Sequence, residues 1–119
     1  MGYRTLKLEV KDHVAHVTLC RPDELNTMNP DFWNEMREIF PEIDATPEAR
    51  VVVLSSTGKH FTAGLDLKAF GGGFVATDGD AARQRDHLRR LVILMQESFS
   101  VIERCRVPVL AAIQGGCIG

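Results

Sequence analysis

Two short apolar segments constrain the fold of this chain more than any other feature. Residues 51–54 (VVVL) and 109–113 (VLAAI) lack the polar–apolar alternation of a half-exposed strand, so each predicts a strand that is covered on both faces. A long helical segment at 81–104 lies between them, which means that the two strands pair in parallel through a crossover. The sequence therefore predicts an α/β (mixed) fold, organised as a single domain over residues 1–119.

The rest of the chain predicts a hairpin and further helices around these two strands. Residues 5–10 and 14–19 alternate on either side of a turn at 11–13, which is typical of a β-hairpin. Asn29 as N-cap and Pro30 at the first helical position predict a helix of three to four turns. A short helix is expected to begin near Gly64, followed by a glycine-rich mobile connector at 71–80. The helix at 81–104 carries an apolar stripe made of Leu88, Leu91, Val92, Met95, Phe99 and Ile102.

Composition and charge exclude several classes of partner. The formal net charge of −2 gives no basis for a nucleic acid or an anionic membrane as partner. No stretch reaches the length of a transmembrane span, and the N-terminus lacks a secretory signal. Cys20, Cys105 and Cys117 are widely spaced and predict reduced thiols in an intracellular compartment, with Cys117 as a small buried thiol. The four histidines share no metal-ligand spacing, so no metal site is predicted.

The segment 58–67 (GKHFTAGLDL) follows the first apolar strand and is the most informative one for chemistry. Ala63 and Gly64 are small enough for another backbone or a ligand to come close. If a helix begins here, its first N–H groups and its dipole stabilise a developing negative charge. A tight strand-to-helix turn without a ligand explains the same residues equally well. A P-loop is excluded, because Val53 replaces the required glycine and His60 the required Ser or Thr.

A second glycine-bearing segment, 111–119 (AAIQGGCIG), follows the other apolar strand. Ligands of open α/β sheets tend to bind at the carboxyl ends of the strands. Because both glycine-bearing segments lie at such ends, together they are expected to frame one site. The alternative for residues 111–119 alone is a flexible tail.

Three motifs then occur in a characteristic order and spacing: R-P-x-x-x-N at 21–26, F-x-A-G-x-D-L at 61–67, and A-A-x-x-G-G-C-I-G at 111–119. In this combination the chain resembles the enoyl-CoA hydratase/isomerase (crotonase) superfamily, and it is most similar to the dienoyl-CoA isomerases. The resemblance covers essentially the whole chain. It implies a crotonase-like ββα spiral fold, of which residues 1–119 form the N-terminal part, truncated after the first turns.

The resemblance also implies a substrate and a reaction. Such enzymes bind fatty acyl-CoA thioesters and stabilise an enolate with two backbone N–H groups, the oxyanion hole. Leu65 supplies one N–H, which the turn at Gly64 presents, while the second glycine and the acid/base carboxylates lie beyond Gly119. The implied reaction shifts the double bonds of a 3,5-dienoyl-CoA to give a 2,4-dienoyl-CoA. Coenzyme A is part of this substrate, and no separate cofactor is implied.

Further expectations about binding and assembly follow from the same resemblance. The implied contacts to substrate and coenzyme A are Asp23, Glu24, Leu25, Ala63, Leu65, Asp66, Leu67 and Gly119. For Glu24 and Asp66 the alternative is a solvated loop carboxylate. The full-length protein is expected to form a homotrimer or hexamer in the mitochondrial or peroxisomal matrix, although this chain shows no targeting signal.

Other functions remain open at this point. The chain could belong to an enoyl-CoA hydratase, to a truncated paralogue that binds coenzyme A without catalysis, or to an α/β domain with no ligand. Because relatives cover the apolar strands with their second half, residues 1–119 are expected to expose apolar surface and to associate.

Overall fold

The computed structural model describes residues 2–70 and 79–119, which form a four-stranded sheet and two long helices. The elements are β1 (Leu6–Lys11), β2 (Val14–Leu19), α1 (Pro30–Asp44), β3 (Val51–Ser56), α2 (Leu67–Ala69), α3 (Ala81–Glu103) and β4 (Val109–Ala111). The strand order is β1-β2-β3-β4, with β1 antiparallel to β2 and the other pairs parallel. The predicted hairpin and the parallel pairing are confirmed. The connector predicted at 71–80 lies mostly outside the described residues.

The hairpin β1–β2 has the tight turn that its sequence predicts. Asp12 and His13 both adopt left-handed backbone angles, with φ of 51° and 69°, and Lys11 pairs with Val14. Two consecutive left-handed residues fit the right-handed twist of the strands on either side. The resulting register places Leu6 opposite Leu19 on the face that packs into the core.

Helix α1 supplies most of the core. The Asn29 side chain accepts a hydrogen bond from the Phe32 N–H at 2.9 Å, and Pro30 occupies the first helical position, so the predicted helix start is confirmed. One face of the helix is buried throughout, and its residues are Phe32, Trp33, Glu35, Met36, Ile39, Phe40 and Ile43. Trp33 is almost fully buried, with 5% of it exposed.

A buried carboxylate joins α1 to the start of β1. Glu35 Oε1 accepts hydrogen bonds from the N–H groups of Arg4 and Thr5, both at 2.9 Å, and from the Leu6 N–H at 3.3 Å. Because Thr5 and Leu6 are buried, the carboxylate satisfies N–H groups that are costly to bury alone.

Substitution of Glu35 therefore tests how β1 is held. Glu35→Ala is expected to lower the free energy of unfolding by about 3 kcal/mol, because it leaves buried N–H groups without an acceptor. Glu35→Gln retains a neutral acceptor and is expected to cost roughly 1 kcal/mol. Urea denaturation measures both values. Equal losses in the two variants would show that the hydrogen bonds contribute little.

The second predicted strand differs from expectation in length and burial. Strand β4 ends at Ala111 rather than at residue 113, and Leu110 and Ile113 are 58% and 55% exposed. The prediction that β4 is covered on both faces is wrong for the described residues, because β4 is an edge strand that pairs with β3 alone and α3 packs on α1 instead. In β3 only Val52 is fully buried.

The apolar stripe of α3 is likewise only partly covered. Contact with α1 is concentrated in the C-terminal half, where Ser98 and Val101 are buried, and where Ser98 Oγ donates to the Trp33 carbonyl at 3.0 Å. Leu88, Val92 and Phe99 remain 41–46% exposed. The expected exposure of apolar surface is confirmed, whereas association of the chain stays a prediction. Within residues 2–70 and 79–119, no helix combines the length and apolar character needed to cross a bilayer.

Candidate functional site

The F-x-A-G-x-D-L segment lies beside the R-P-x-x-x-N loop and is hydrogen-bonded to it along the backbone. The Ala63 N–H donates to the Leu25 carbonyl at 3.0 Å. The Met28 N–H donates to the Gly64 carbonyl, and the Asp66 N–H donates to the Met28 carbonyl, both at 2.8 Å. Met28 and Leu65 therefore form a parallel bridge. In this bridge the Gly64 carbonyl and the Asp66 N–H, on either side of Leu65, are both hydrogen-bonded.

On its other side the same segment pairs with residues 114–118. The Phe61 N–H donates to the Gln114 carbonyl at 2.8 Å, and Thr62 pairs with Cys117 in a second parallel bridge. Three stretches that are far apart in sequence thus meet at the carboxyl ends of β3 and β4. The expectation that the two glycine-bearing segments lie together is confirmed, and residues 114–118 are paired rather than a free tail. That they frame a ligand site stays a prediction.

The backbone amide of Leu65 has no acceptor within the part of the chain that the structure describes. Among residues 2–70 and 79–119, none accepts a hydrogen bond from the Leu65 N–H, although its neighbours Gly64 and Asp66 both donate. Leu65 is half-buried. An amide held in place by bonded neighbours and left unpaired is a donor that a ligand oxygen can use without reorganisation of the backbone.

The short helix begins later than the sequence predicts. Helix α2 starts at Leu67 rather than near Gly64, and Asp66 is its N-cap. The Asp66 carboxylate accepts from the N–H groups of Lys68 at 3.0 Å and Ala69 at 3.2 Å. These first amides of the helix are therefore used by the chain itself, and the expectation that they stabilise a ligand is wrong. The Leu65 amide lies in the turn before the helix and is not among the amides that the Asp66 carboxylate binds.

Gly64 is required by its backbone angle and by its neighbour. Its φ is +95°, and a Cβ at this position would lie 2.5 Å from the Gly119 carbonyl oxygen and 3.1 Å from that of Ile118. L-residues with a side chain rarely adopt such a φ, and a backbone oxygen at that distance leaves no room for a methyl group. Glycine thus allows segment 115–119 to pack directly on the turn that carries Leu65.

An apolar cavity of about 230 Å³ opens beside these segments. It is lined by Leu19, Met28, Phe32, Met36, Leu54, Phe61, Thr62, Phe99, Ile102, Cys117, Ile118 and Gly119. Neither a carboxylate nor an imidazole lines it among the described residues, so the cavity fits a hydrocarbon chain. The expectation that Cys117 is buried is wrong, because this thiol is exposed; the turn that carries it lies at the surface.

The residues expected to bind coenzyme A fall into two groups. Leu25, Ala63 and Gly119 lie around the Leu65 turn through the contacts already described. Asp23 and Glu24 lie on an exposed 3-10 turn, Pro22–Glu24, just before Leu25, and Leu67 is 77% exposed at the start of α2. All eight residues expected to bind the substrate lie in the same part of the molecule. Their contacts with a ligand stay a prediction.

Asp66 is engaged within the chain. Besides capping α2, its carboxylate is paired with the Arg21 guanidinium at 3.5 Å, and 12% of its side chain is exposed. The Ala69 N–H, the Arg21 charge and the Lys68 N–H hold the pKa of Asp66 below its usual value, although burial acts in the opposite direction. The carboxylate therefore remains ionised and anchors the turn after Leu65.

Sequence reasoning gave no role to Asn26, which connects the R-P-x-x-x-N loop to the backbone just before the F-x-A-G-x-D-L segment. Asn26 is 3% exposed with a φ of +53°. Its side chain accepts from the Arg21 N–H at 2.8 Å and donates to the carbonyls of Thr57 at 2.6 Å and His60 at 3.0 Å. The residue was visible as the last position of R-P-x-x-x-N, and asparagine tolerates left-handed angles, but its partners are distant in sequence.

No arrangement for a metal ion is found in the described residues, where no three His, Cys, Asp or Glu side chains come together. His60 is also missing from the predicted site, although its imidazole contacts Gly116 within it.

Comparison with known proteins identifies the family. Residues 9–119 match the family described as enoyl-CoA hydratase/isomerase. The chain belongs to this family. It is 45% identical over 120 residues to the human protein named Delta(3,5)-Delta(2,4)-dienoyl-CoA isomerase, mitochondrial, covering 99% of the chain and 37% of that protein. It is 37% identical to the peroxisomal protein of that name from Arabidopsis thaliana, with coverage of 99% and 44%.

The more distant similarities are to a hydratase-lyase and to a solved enoyl-CoA hydratase/isomerase. The hydroxycinnamoyl-CoA hydratase-lyase of Pseudomonas fluorescens is 31% identical over 98% of the chain and 41% of that protein. A crystal structure of an enoyl-CoA hydratase/isomerase from Xanthobacter autotrophicus Py2 superimposes with a TM-score of 0.85 at 25% identity, covering 98% of this chain and 40% of that one. The crotonase-like fold is thereby confirmed. The chain spans about two-fifths of the length of these members of the enoyl-CoA hydratase/isomerase family.

Proposed function

We propose that this chain forms the carbonyl-binding part of an acyl-CoA isomerase, in which the Leu65 N–H donates to the thioester oxygen. The observation that carries the proposal is the Leu65 amide, which has bonded neighbours but no acceptor among the described residues, and whose bridge partner Met28 lines the apolar cavity. The names of the most similar relatives point to a 3,5-dienoyl-CoA as substrate and a 2,4-dienoyl-CoA as product.

The proposed reaction follows from the chemistry of the thioester. Loss of a proton from carbon 2 of a 3,5-dienoyl thioester delocalises negative charge from the carbonyl oxygen along the diene. Return of a proton at carbon 6 then gives the 2,4-diene. A fixed N–H directed at the oxygen stabilises it more strongly as negative charge builds up on that oxygen. Removal of one such donor typically lowers the rate by a factor on the order of 10²–10³.

The apolar cavity is assigned to the acyl chain in this proposal. Each methylene that leaves water contributes about 0.8 kcal/mol, so a lining of aliphatic and aromatic side chains favours a fatty acyl group over a short polar one. Coenzyme A enters as part of the substrate, with no separate cofactor. Its contacts are proposed for Asp23, Glu24, Leu25, Asp66 and Leu67.

A hydratase is the second candidate function, favoured by the similarity to the hydroxycinnamoyl-CoA hydratase-lyase. Both reactions need the same stabilised enolate and differ in whether water adds to the double bond. Both also require a base within hydrogen-bond reach of the α-carbon, and no carboxylate or imidazole lines the cavity among the described residues. The proposal therefore assigns to this part of the family fold the binding and polarisation of the carbonyl.

Two further properties are proposed from the relatives. The mitochondrial and peroxisomal names of the isomerases support a location in one of these organelles. The exposed apolar faces of α3 and β4 support assembly of the protein as a trimer or hexamer, in which such surface is covered.

The test removes the Leu65 N–H alone. Incorporation of the α-hydroxy acid of leucine at position 65 replaces the N–H by an ester oxygen and keeps the side chain. Infrared spectroscopy of a bound acyl-CoA with a ¹³C-labelled thioester carbonyl is expected to show a lowered stretching frequency with the native protein and a smaller shift with the ester. In the full-length protein, turnover of a 3,5-dienoyl-CoA is expected to fall by about 10²-fold or more.

A side-chain variant and a fold measurement complete this experiment. Leu65→Ala keeps the N–H and is expected to keep most of the carbonyl shift. The ester also makes the Gly64 carbonyl a weaker acceptor for the Met28 N–H, so unfolding by urea must be compared for all three proteins. An unchanged carbonyl frequency in a folded ester variant would refute the proposed donor.

A further inference from the structure

The His60 imidazole makes a hydrogen bond inside the site that the proposed chemistry does not use. Its Nδ1 accepts the Gly116 N–H at 2.8 Å. The Gly116 carbonyl in turn accepts from the Thr62 N–H at 3.2 Å. Both the N–H and the carbonyl of Gly116 are therefore hydrogen-bonded to residues 60–62, which lead to Leu65.

We infer that His60 is a positioning residue, whose neutral imidazole holds Gly116 and through it places segment 116–119 against Gly64 and Leu65. The catalytic consequence rests on the proposed function, whereas the hydrogen bond does not.

The connection from His60 to the Leu65 turn is short. Beyond Gly116, the Ile118 N–H donates to the Thr62 carbonyl at 3.1 Å, and the carbonyls of Ile118 and Gly119 then lie against Gly64. A displacement of Gly116 therefore also displaces Ile118 and Gly119, because Gly119 is only three residues further along the chain. Since Gly119 also lines the apolar cavity, the same shift changes both the cavity and the surroundings of the Leu65 amide.

The turn at Gly115 fits closely against His60. Gly115 has a φ of +60°, and a Cβ there would lie 2.4 Å from the Lys59 carbonyl oxygen and 2.8 Å from His60 Nδ1. The glycine thus allows the close approach that the hydrogen bond to Gly116 needs. The two adjacent glycines have separate roles, one providing space and the other the N–H.

The backbone of His60 is held by hydrogen bonds to its carbonyl. The His60 carbonyl accepts from Asn26 Nδ2 at 3.0 Å and from Ser56 Oγ at 3.2 Å, and the residue is half-buried. His60 therefore connects the well-fixed Asn26 loop to the exposed segment 115–119. An acceptor at Nδ1 requires the proton on Nε2, so the geometry assigns one neutral tautomer to this histidine.

The test uses two amide side chains that differ in where they place an acceptor. In His60→Asn the Oδ1 atom is expected to occupy the position of Nδ1 and to keep the bond to the Gly116 N–H. In His60→Gln the acceptor lies one bond further out, near the position of Nε2, and the bond is lost. His60→Ala removes the acceptor altogether.

Hydrogen–deuterium exchange of peptides that contain Gly116 reads out the hydrogen bond without any ligand. Exchange is expected to be about 2- to 10-fold faster in His60→Gln and His60→Ala, the range that corresponds to one net hydrogen bond, and close to native in His60→Asn. Emission of the single tryptophan, Trp33 in the α1–α3 core, monitors the fold. Equal exchange in native, Asn and Gln proteins would overturn the inference, and this comparison stands even if the Ala variant does not fold.

The carbonyl stretch of a bound ¹³C-labelled acyl-CoA reads out the consequence for the site. The lowered frequency is expected in the native protein and in His60→Asn, and is expected to be lost in His60→Gln. A shift that persists unchanged in His60→Gln would overturn the positioning role at the carbonyl. If the native protein gives no shift while exchange ranks as expected, the proposed function fails and the bond from His60 to Gly116 stands.

Discussion

Gly64→Ala is expected to lose the carbonyl shift of a bound acyl-CoA and, in the full-length protein, to reduce turnover by about 10²–10³-fold, the cost of one missing oxyanion donor. The added methyl group would lie 2.5 Å from the Gly119 carbonyl oxygen, and backbone on both sides prevents a simple side-chain adjustment. Either the Leu65 turn or segment 116–119 must move. Infrared spectroscopy and dienoyl-CoA turnover measure the effect on the site.

Gly79→Ala provides a matched control for this variant. Gly79 has nearly the same backbone angle, a φ of +92°, but a Cβ there would have Arg83 atoms no closer than 3.6 Å. The left-handed strain alone is expected to cost about 1 kcal/mol, and the carbonyl shift is expected to remain. If Gly64→Ala and Gly79→Ala behaved alike, the contact between Gly64 and Gly119 would have no part in forming the site.

Asn26→Asp is expected to destabilise the protein by about 3 kcal/mol, although the two side chains have nearly the same shape. Aspartate keeps an acceptor for the Arg21 N–H but replaces the NH₂ donor by an oxygen that faces the carbonyls of Thr57 and His60. Loss of two donated bonds, together with a charge that is almost entirely buried, costs more than an average substitution. Urea denaturation measures the change in the free energy of unfolding.

The control for Asn26→Asp is the same substitution at an exposed position. Asn34 lies on the solvent side of α1 and contacts Arg37 through its acceptor oxygen, which aspartate retains. Asn34→Asp is therefore expected to change stability by less than about 0.5 kcal/mol. A comparably small effect at Asn26 would mean that its amide does not hold the R-P-x-x-x-N loop against residues 57–60.

The sequence by itself determined those elements whose signals are local. Strand β2 (Val14–Leu19) begins and ends as its alternation predicts, and Asn29 with Pro30 marks the start of α1. The parallel pairing of β3 and β4 followed from their separation by a helix. The motifs also indicated the candidate site, because the turn at Gly64 and the strand ends beside it depend on local backbone geometry.

Only the tertiary structure decided how these elements cover one another and which amide stays unpaired. Strand β4 and the α3 stripe have the composition of buried elements, yet Leu110 and Phe99 are about half exposed, since burial depends on what packs against a surface. The late start of α2 reflects the pairing of Asp66 with Met28 and Arg21. Asn26 and His60 act through partners 31–56 residues away, and no local pattern records contacts over such separations.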